Sequence, residues 1–317
     1  MGRKWRLHFA SLVSALFAMS VPVFADQKTG KLTLPVSLDD DRLTLQIQIG
    51  GQNTDATLDS AATFPMIDSY LVGQSAAERL DQSVDILGIG GVRSFPVART
   101  GPIQIEALHQ EIMLAAINAQ SNQPGHRTII PVDMLPGRTI DFQFDRNRVE
   151  AYNGEPDRKD RSVRSIMDYT LLQGVPFVPV KVNGVKGLAL VDTGSDVTYL
   201  NSAFAIAAGA RFLPERTLEL YGTGPDASPI RVMRANRFDI GDHRKQDFEI
   251  LSADSAVFGY VGRRDQPTMV LGMDYLKHFR LQIDREKQEM IFARKESKSA
   301  GRRYHISPMS GRIKRRQ

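Results

Sequence analysis

The sequence predicts a mostly β fold in which two β-barrel lobes are related by pseudo-twofold symmetry, and three observations predict it. The chain repeats itself: IQIGGQNTDATLDSAATFPMIDS (47–69) lies over VKVNGVKGLALVDTGSDVTYLNS (180–202) at a constant offset of 133 residues, without a gap. Within each copy, runs such as LTLQIQI and PFVPVKV alternate or stay apolar as strands do, and helical spacing is confined to short pieces such as NSAFAIAAGA. The copies also close alike, TIIPVDMLPGRTIDFQFDRNRVEAY (128–152) matching MVLGMDYLKHFRLQIDREKQEMIF (269–292).

The elements follow in order. Residues 1–25 begin with basic MGRKWRLH and continue as apolar FASLVSALFAMSVPVFA. That pattern reads as a secretory signal peptide, with Asp26 as the first mature residue, and the apolar run is short for a membrane span. Residues 26–152 form the first lobe. Its repeat opens as a β-hairpin: alternating Ile47 and Ile49, a turn at Gly51, then an apolar return strand ending in Asp59. A second Gly-rich hairpin is expected at LGIGGVR (87–93). The polar stretch NGEPDRKDRSVRS (153–165) reads as a linker. Residues 166–293 form the second lobe, in which Val180, Val182, Gly184 and Asp192 take the places of Ile47, Ile49, Gly51 and Asp59. YGTGPDA (221–227) supplies its second hairpin. Asp133 and Asp274 are expected to cap short helices.

Composition limits the chemistry. There is no cysteine, which excludes disulfides and thiol catalysis and suits a bacterial periplasm better than a eukaryotic extracellular space. The net charge of +5 conceals an uneven distribution. The body, 26–293, carries 29 basic and 35 acidic residues, whereas the tail 294–317 carries nine Lys/Arg against Glu296 alone. The tail therefore reads as a flexible basic arm suited to anionic envelope surfaces, and no nucleic-acid module is present in the sequence. GIGGVR lacks the Lys-Ser/Thr of a phosphate loop, and no Gly-x-Ser-x-Gly occurs. His8, His109, His126, His243, His278 and His305 are dispersed without metal-ligand spacing, so neither a metal nor another cofactor is expected.

The acids carry the functional signal. In ALVDTGSDVTYL (189–200) a buried strand delivers Asp192 into a tight turn. There Thr193 can anchor the loop, and Gly194 lets backbone N–H groups approach the carboxylate. With LYGTGPD and MVLGMDYLKHFRLQID downstream, this half resembles the retropepsin-like aspartyl protease family over nearly all of 166–293. The first half resembles it more loosely, and such a tandem is similar to bacterial exported aspartyl protease-like proteins.

The resemblance implies two retropepsin-like lobes on one chain and hydrolysis of peptide bonds. In it Asp59 and Asp192 are the catalytic pair, sharing one proton and activating a water, and Ser60, Thr193 and Gly194 support their loops. Gly88, Gly90, Tyr221, Gly222 and Gly224 belong to flaps over a peptide or protein substrate. A two-lobed monomer is implied rather than a homodimer. The first lobe departs from the pattern at Ala61, for Gly194, and at Pro131, for Gly272. A positive φ at Ala61 would cost roughly 1–2 kcal/mol, and Pro131 lacks an N–H. Two other readings stay open: a peptide-binding pseudo-protease, and activity only when second lobes pair as a homodimer.

Overall fold

The computed structural model describes residues 30–74, 76–119, 128–158, 162–221 and 227–295, with two short strands at Trp5–His8 and Ser14–Ala15. The first half contains β1 (Leu32–Pro35), β2 (Arg42–Ile49), β3 (Gln52–Asp59), β4 (Met66–Asp68), α1 (Ser69–Gly73), β5 (Ala77–Gly88) and β6 (Gly91–Thr100). It continues with β7 (Leu114–Asn118), β8 (Ile129–Pro131), β9 (Thr139–Gln143) and β10 (Arg148–Tyr152). The second half contains β11 (Ser162–Asp168), β12 (Val175–Val182), β13 (Val185–Val191), β14 (Tyr199–Leu200), α2 (Ser202–Ala207), β15 (Arg211–Tyr221) and β16 (Ala227–Ile240). It ends with β17 (His243–Ser252), α3 (Ala256–Tyr260), β18 (Thr268–Leu271), α4 (Met273–Leu276), β19 (Arg280–Asp284) and β20 (Glu289–Lys295). The protein is mostly β, as its alternation predicts.

Strand order follows the sequence repeat. One sheet contains β5-β6-β7-β4-β8-β3-β2, and the other contains β15-β16-β17-β14-β18-β13-β12, strand for strand. In both, the acid-bearing strand runs parallel to the closing strand: Leu58 pairs with Ile130 and Val191 with Leu271. A third sheet, β11-β20-β19-β9-β10-β1, takes three strands from each half and joins them through antiparallel β9 and β19.

Local chemistry explains the hairpins. In β2, Leu43, Leu45, Ile47 and Ile49 are buried and alternate with more exposed neighbours, the two-residue period of a half-buried strand. The β2–β3 turn has positive φ at Gly50 and Gly51, and the β12–β13 turn has it at Asn183 and Gly184. Two consecutive left-handed residues suit the right-handed twist of a tight hairpin, which favours Gly and Asn there. Both hairpins therefore close on two-residue turns, with Ile49 opposite Gln52 and Val182 opposite Val185, and the register fixes where each acid emerges.

Two boundaries differ from the sequence expectation. The last four residues of the expected linker, 162–165, belong to β11, with Ser165 buried. Charge density reads as loop, but pairing of β11 with β20 along the central sheet overrides it. Arg294 and Lys295, expected in the tail, end β20. The rest of the tail, and the signal segment apart from the two short strands, lie outside the described residues.

Candidate active site

Asp59 ends β3 and Asp192 follows β13 directly, so each acid sits where a buried strand turns over the closing strand beside it. Both are buried, at 0% and 3% exposure. Asp59 Oδ1 accepts the N–H groups of Ala61 (2.7 Å) and Ala62 (3.0 Å), and Asp192 Oδ1 accepts that of Gly194 (2.9 Å). The two carboxyls are close enough across the interface between the halves for each to shift the other's protonation.

The supporting loops brace each other reciprocally. Ser60 Oγ donates to Val191 O (2.8 Å) and accepts from Thr193 N–H (3.0 Å). Thr193 Oγ1 donates to Leu58 O (2.8 Å) and accepts from Ser60 N–H (2.9 Å). Serine in place of threonine thus loses none of these bonds, because the hydroxyl alone makes them.

Ala61 does not carry the expected strain: it is not among the residues with positive φ. Gly194 also lacks a positive φ, and close approach is what requires it: a Cβ there would lie 2.3 Å from Asp59 Oδ2. Pro131 has a similar resolution. Gly272 N–H donates to Thr198 Oγ1 (3.0 Å). At the repeat offset, Thr198 corresponds to Pro65, which has no hydroxyl. Donor and acceptor are replaced together in the first lobe, so neither is left unpaired.

Electrostatics favour a shared proton. Burial pushes Asp59 up to about 7, against the pull of the Ala61 and Ala62 N–H groups. Burial, followed by the neighbouring Asp59 charge, pushes Asp192 well above the ordinary carboxylate range. Asp59 Oδ2 is buried and has no donor. Ionised carboxyls only accept, so contact between the two acids becomes a hydrogen bond once one of them keeps its proton.

The flap residues are only partly visible. Gly88 pairs with Gly91 to close the first hairpin, and Gly90 lies in its turn. Open space surrounds Gly90, and the left-handed φ of 118° falls on Gly91 instead. Tyr221 ends β15 opposite Ala227, while Gly222 and Gly224 lie outside the described residues. Asp133 and Asp274 are not N-caps; Pro131 and Gly272 hold those positions. Asp133 pairs with Arg285 (3.4 Å), whereas half-buried Asp274 accepts from Thr198 Oγ1 (2.6 Å) and is raised by desolvation to about 6.

Sequence reasoning missed three contributors. Arg42 of the first half meets buried Asp196 at 3.3 Å, four residues past Asp192, and burial holds Asp196 up at about 8. Ser255 at the start of α3 touches the first hairpin. Pro65 could have been found by reading the whole 133-residue register rather than the acids alone.

Residues 178–275 match the model of a family described as aspartyl protease. Over 86% of its length the chain is similar in structure to the aspartic proteinase from Irpex lacteus, covering 99% of that chain at a TM-score of 0.52 and 10% identity. At that identity the likeness shows the fold. No curated protein matches the chain.

Proposed function

We propose that the protein is an exported aspartic endopeptidase in which Asp59 and Asp192 share one proton. One observation carries this reading: two buried carboxyls, one from each half, meet on loops that Ser60 and Thr193 brace across the interface. In the proposed cycle, the ionised carboxyl takes a proton from a water whose oxygen attacks the peptide carbonyl carbon. The protonated carboxyl gives its proton to the carbonyl oxygen. The resulting diol collapses as one of its hydroxyls returns a proton to the ionised carboxyl, the C–N bond breaks, and the leaving nitrogen takes the proton held by the other carboxyl. Because the acids titrate as a pair, neither has a fixed role.

Extended peptide is the substrate class that the hairpin edges suit. Ser14–Ala15 already pairs antiparallel with Ile86–Leu87, and Trp5–His8 pairs with Leu218–Tyr221. Strand addition of this kind gives main-chain recognition with little demand on sequence. The basic and apolar residues 1–25 support export, and the basic tail supports contact with an anionic envelope surface. The presence of both acids on one chain favours a monomeric enzyme.

The test is cleavage of an unfolded protein from acid to neutral pH by wild type, Asp59→Asn and Asp192→Asn. Each variant should lose on the order of 10³-fold or more. The cycle needs one ionised and one protonated carboxyl, so activity should rise as Asp59 gives up its proton near pH 7 and fall at higher pH, where Asp192, held up by burial and by the Asp59 charge, loses the remaining one. Cleavage surviving Asp59→Asn alone would point to paired second lobes. Peptide binding without cleavage by wild type would identify a pseudo-protease.

A further inference from the structure

Two hollows among the described residues, of about 250 and 230 Å³, include neither acid in their linings. The end of the first hairpin, β5–β6, reaches the opposite half. Leu87 and Ile89 at its end are 2% and 3% exposed, and they belong to one apolar cluster with Val197, Tyr199, Ile230 and Val257 of the opposite half and Ala61 of their own. Val92, just past the turn, is 51% exposed. Ile89 O accepts from Ala256 N–H (3.2 Å) and Ser255 Oγ (3.4 Å) at the start of α3. Ser255 also contacts Tyr199, seven residues beyond Asp192. The corresponding first-half cluster, Phe64, Met66, Val84, Ile86 and Phe95, receives no such insertion from the second half among the described residues.

We infer that the hairpin tip is an internal plug: Leu87 and Ile89 fill the apolar subsite of the second half, and Ser255 with α3 latches them there. The occupant that displaces the plug is an extended peptide with an aliphatic side chain on that side of the cleaved bond, matching the aliphatic residues it replaces. This rests on the peptidase reading for its ligand class, but the latch is a property of the chain itself. Apparent affinity then equals intrinsic affinity reduced by the fraction of molecules with the plug withdrawn.

The test compares wild type with Ser255→Ala, Ile89→Ser and, as a control, Val92→Ser. Amide hydrogen exchange over 84–95 and binding of a leucine-flanked hydroxyethylene peptide analogue are the readouts. Ser255→Ala removes one hydrogen bond to the tip, so exchange there should quicken and the analogue should bind tighter, each by about fivefold. Ile89→Ser should do the same while leaving the α3 sequence and its Ser255 cap intact, which keeps the test valid if Ser255→Ala unfolds that helix. Val92→Ser should leave both unchanged. Unchanged exchange and affinity in folded Ser255→Ala and Ile89→Ser overturn the plug, even if wild type cleaves peptides. Quickened exchange with tighter binding supports it, even if no form of the protein cleaves, in which case the peptidase reading alone fails.

Discussion

Ser60 and Thr193 each hold the backbone of the opposite half, and Ser60→Ala measures that exchange. The substitution strands Val191 O and Thr193 N–H in a part-buried site, a loss of about 1–3 kcal/mol. Thermal unfolding should show it, and Ser60→Thr should restore the wild-type midpoint. Gly194→Ala has a different signature: its methyl falls on the Asp59 carboxylate, so cleavage should collapse. Asp59→Asn tests the cost of burying the acid. The folded-state value, about 7, lies above the ordinary 3.8, so the folded protein holds the proton more tightly. Wild-type stability therefore falls as pH rises from about 4 to about 7. Asp59→Asn should escape that fall, with a gain in midpoint absent below pH 4, growing to pH 7 and level beyond it.

The closing strands differ at the scale of elements. β18 leads into Gly272, whose Cβ position would lie 2.4 Å from Val197 O, so no larger residue fits beneath that loop. β8 ends in Pro131 at the equivalent register, opposite Asp59. Pro131→Gly alone creates an N–H with no hydroxyl to meet it, and Pro65→Thr alone creates a hydroxyl with no N–H. Each should be neutral or destabilising, while the double variant recovers the second-lobe bond. A double-mutant cycle should show favourable coupling of about 0.5–1.5 kcal/mol. The hairpins were the most legible elements, because Gly50-Gly51 and Asn183-Gly184 state their turn type outright. β11 was the least legible, because Arg164 and its polar neighbours look like loop until β20 lies beside them.

For the whole molecule, the central sheet holds the acids in register. Arg280 of β19 meets buried Asp141 of β9 through Nε (2.9 Å) and a second nitrogen (2.5 Å), and reaches Asp157 through the third (2.9 Å). Removing one partner of a buried pair leaves an uncompensated charge, so Arg280→Ala should cost on the order of 3 kcal/mol in chemical unfolding. Arg280→Lys should recover only part of this, because an ammonium lacks the guanidinium fork.

The sequence alone determined the repeat, the strands, the two acids and their hydroxyl partners, because a 133-residue register and two-residue periodicity are written in residue order. It also located the two departures, Ala61 and Pro131, but not what accommodates them. Only the tertiary structure decided that Ala61 keeps an ordinary backbone φ, that the Gly272 N–H meets Thr198 where the first lobe has Pro131 and Pro65, and that the tip of the first hairpin bonds to the start of α3. The last two depend on distances between residues far apart in the chain. Such distances are set by packing, and no local pattern encodes packing.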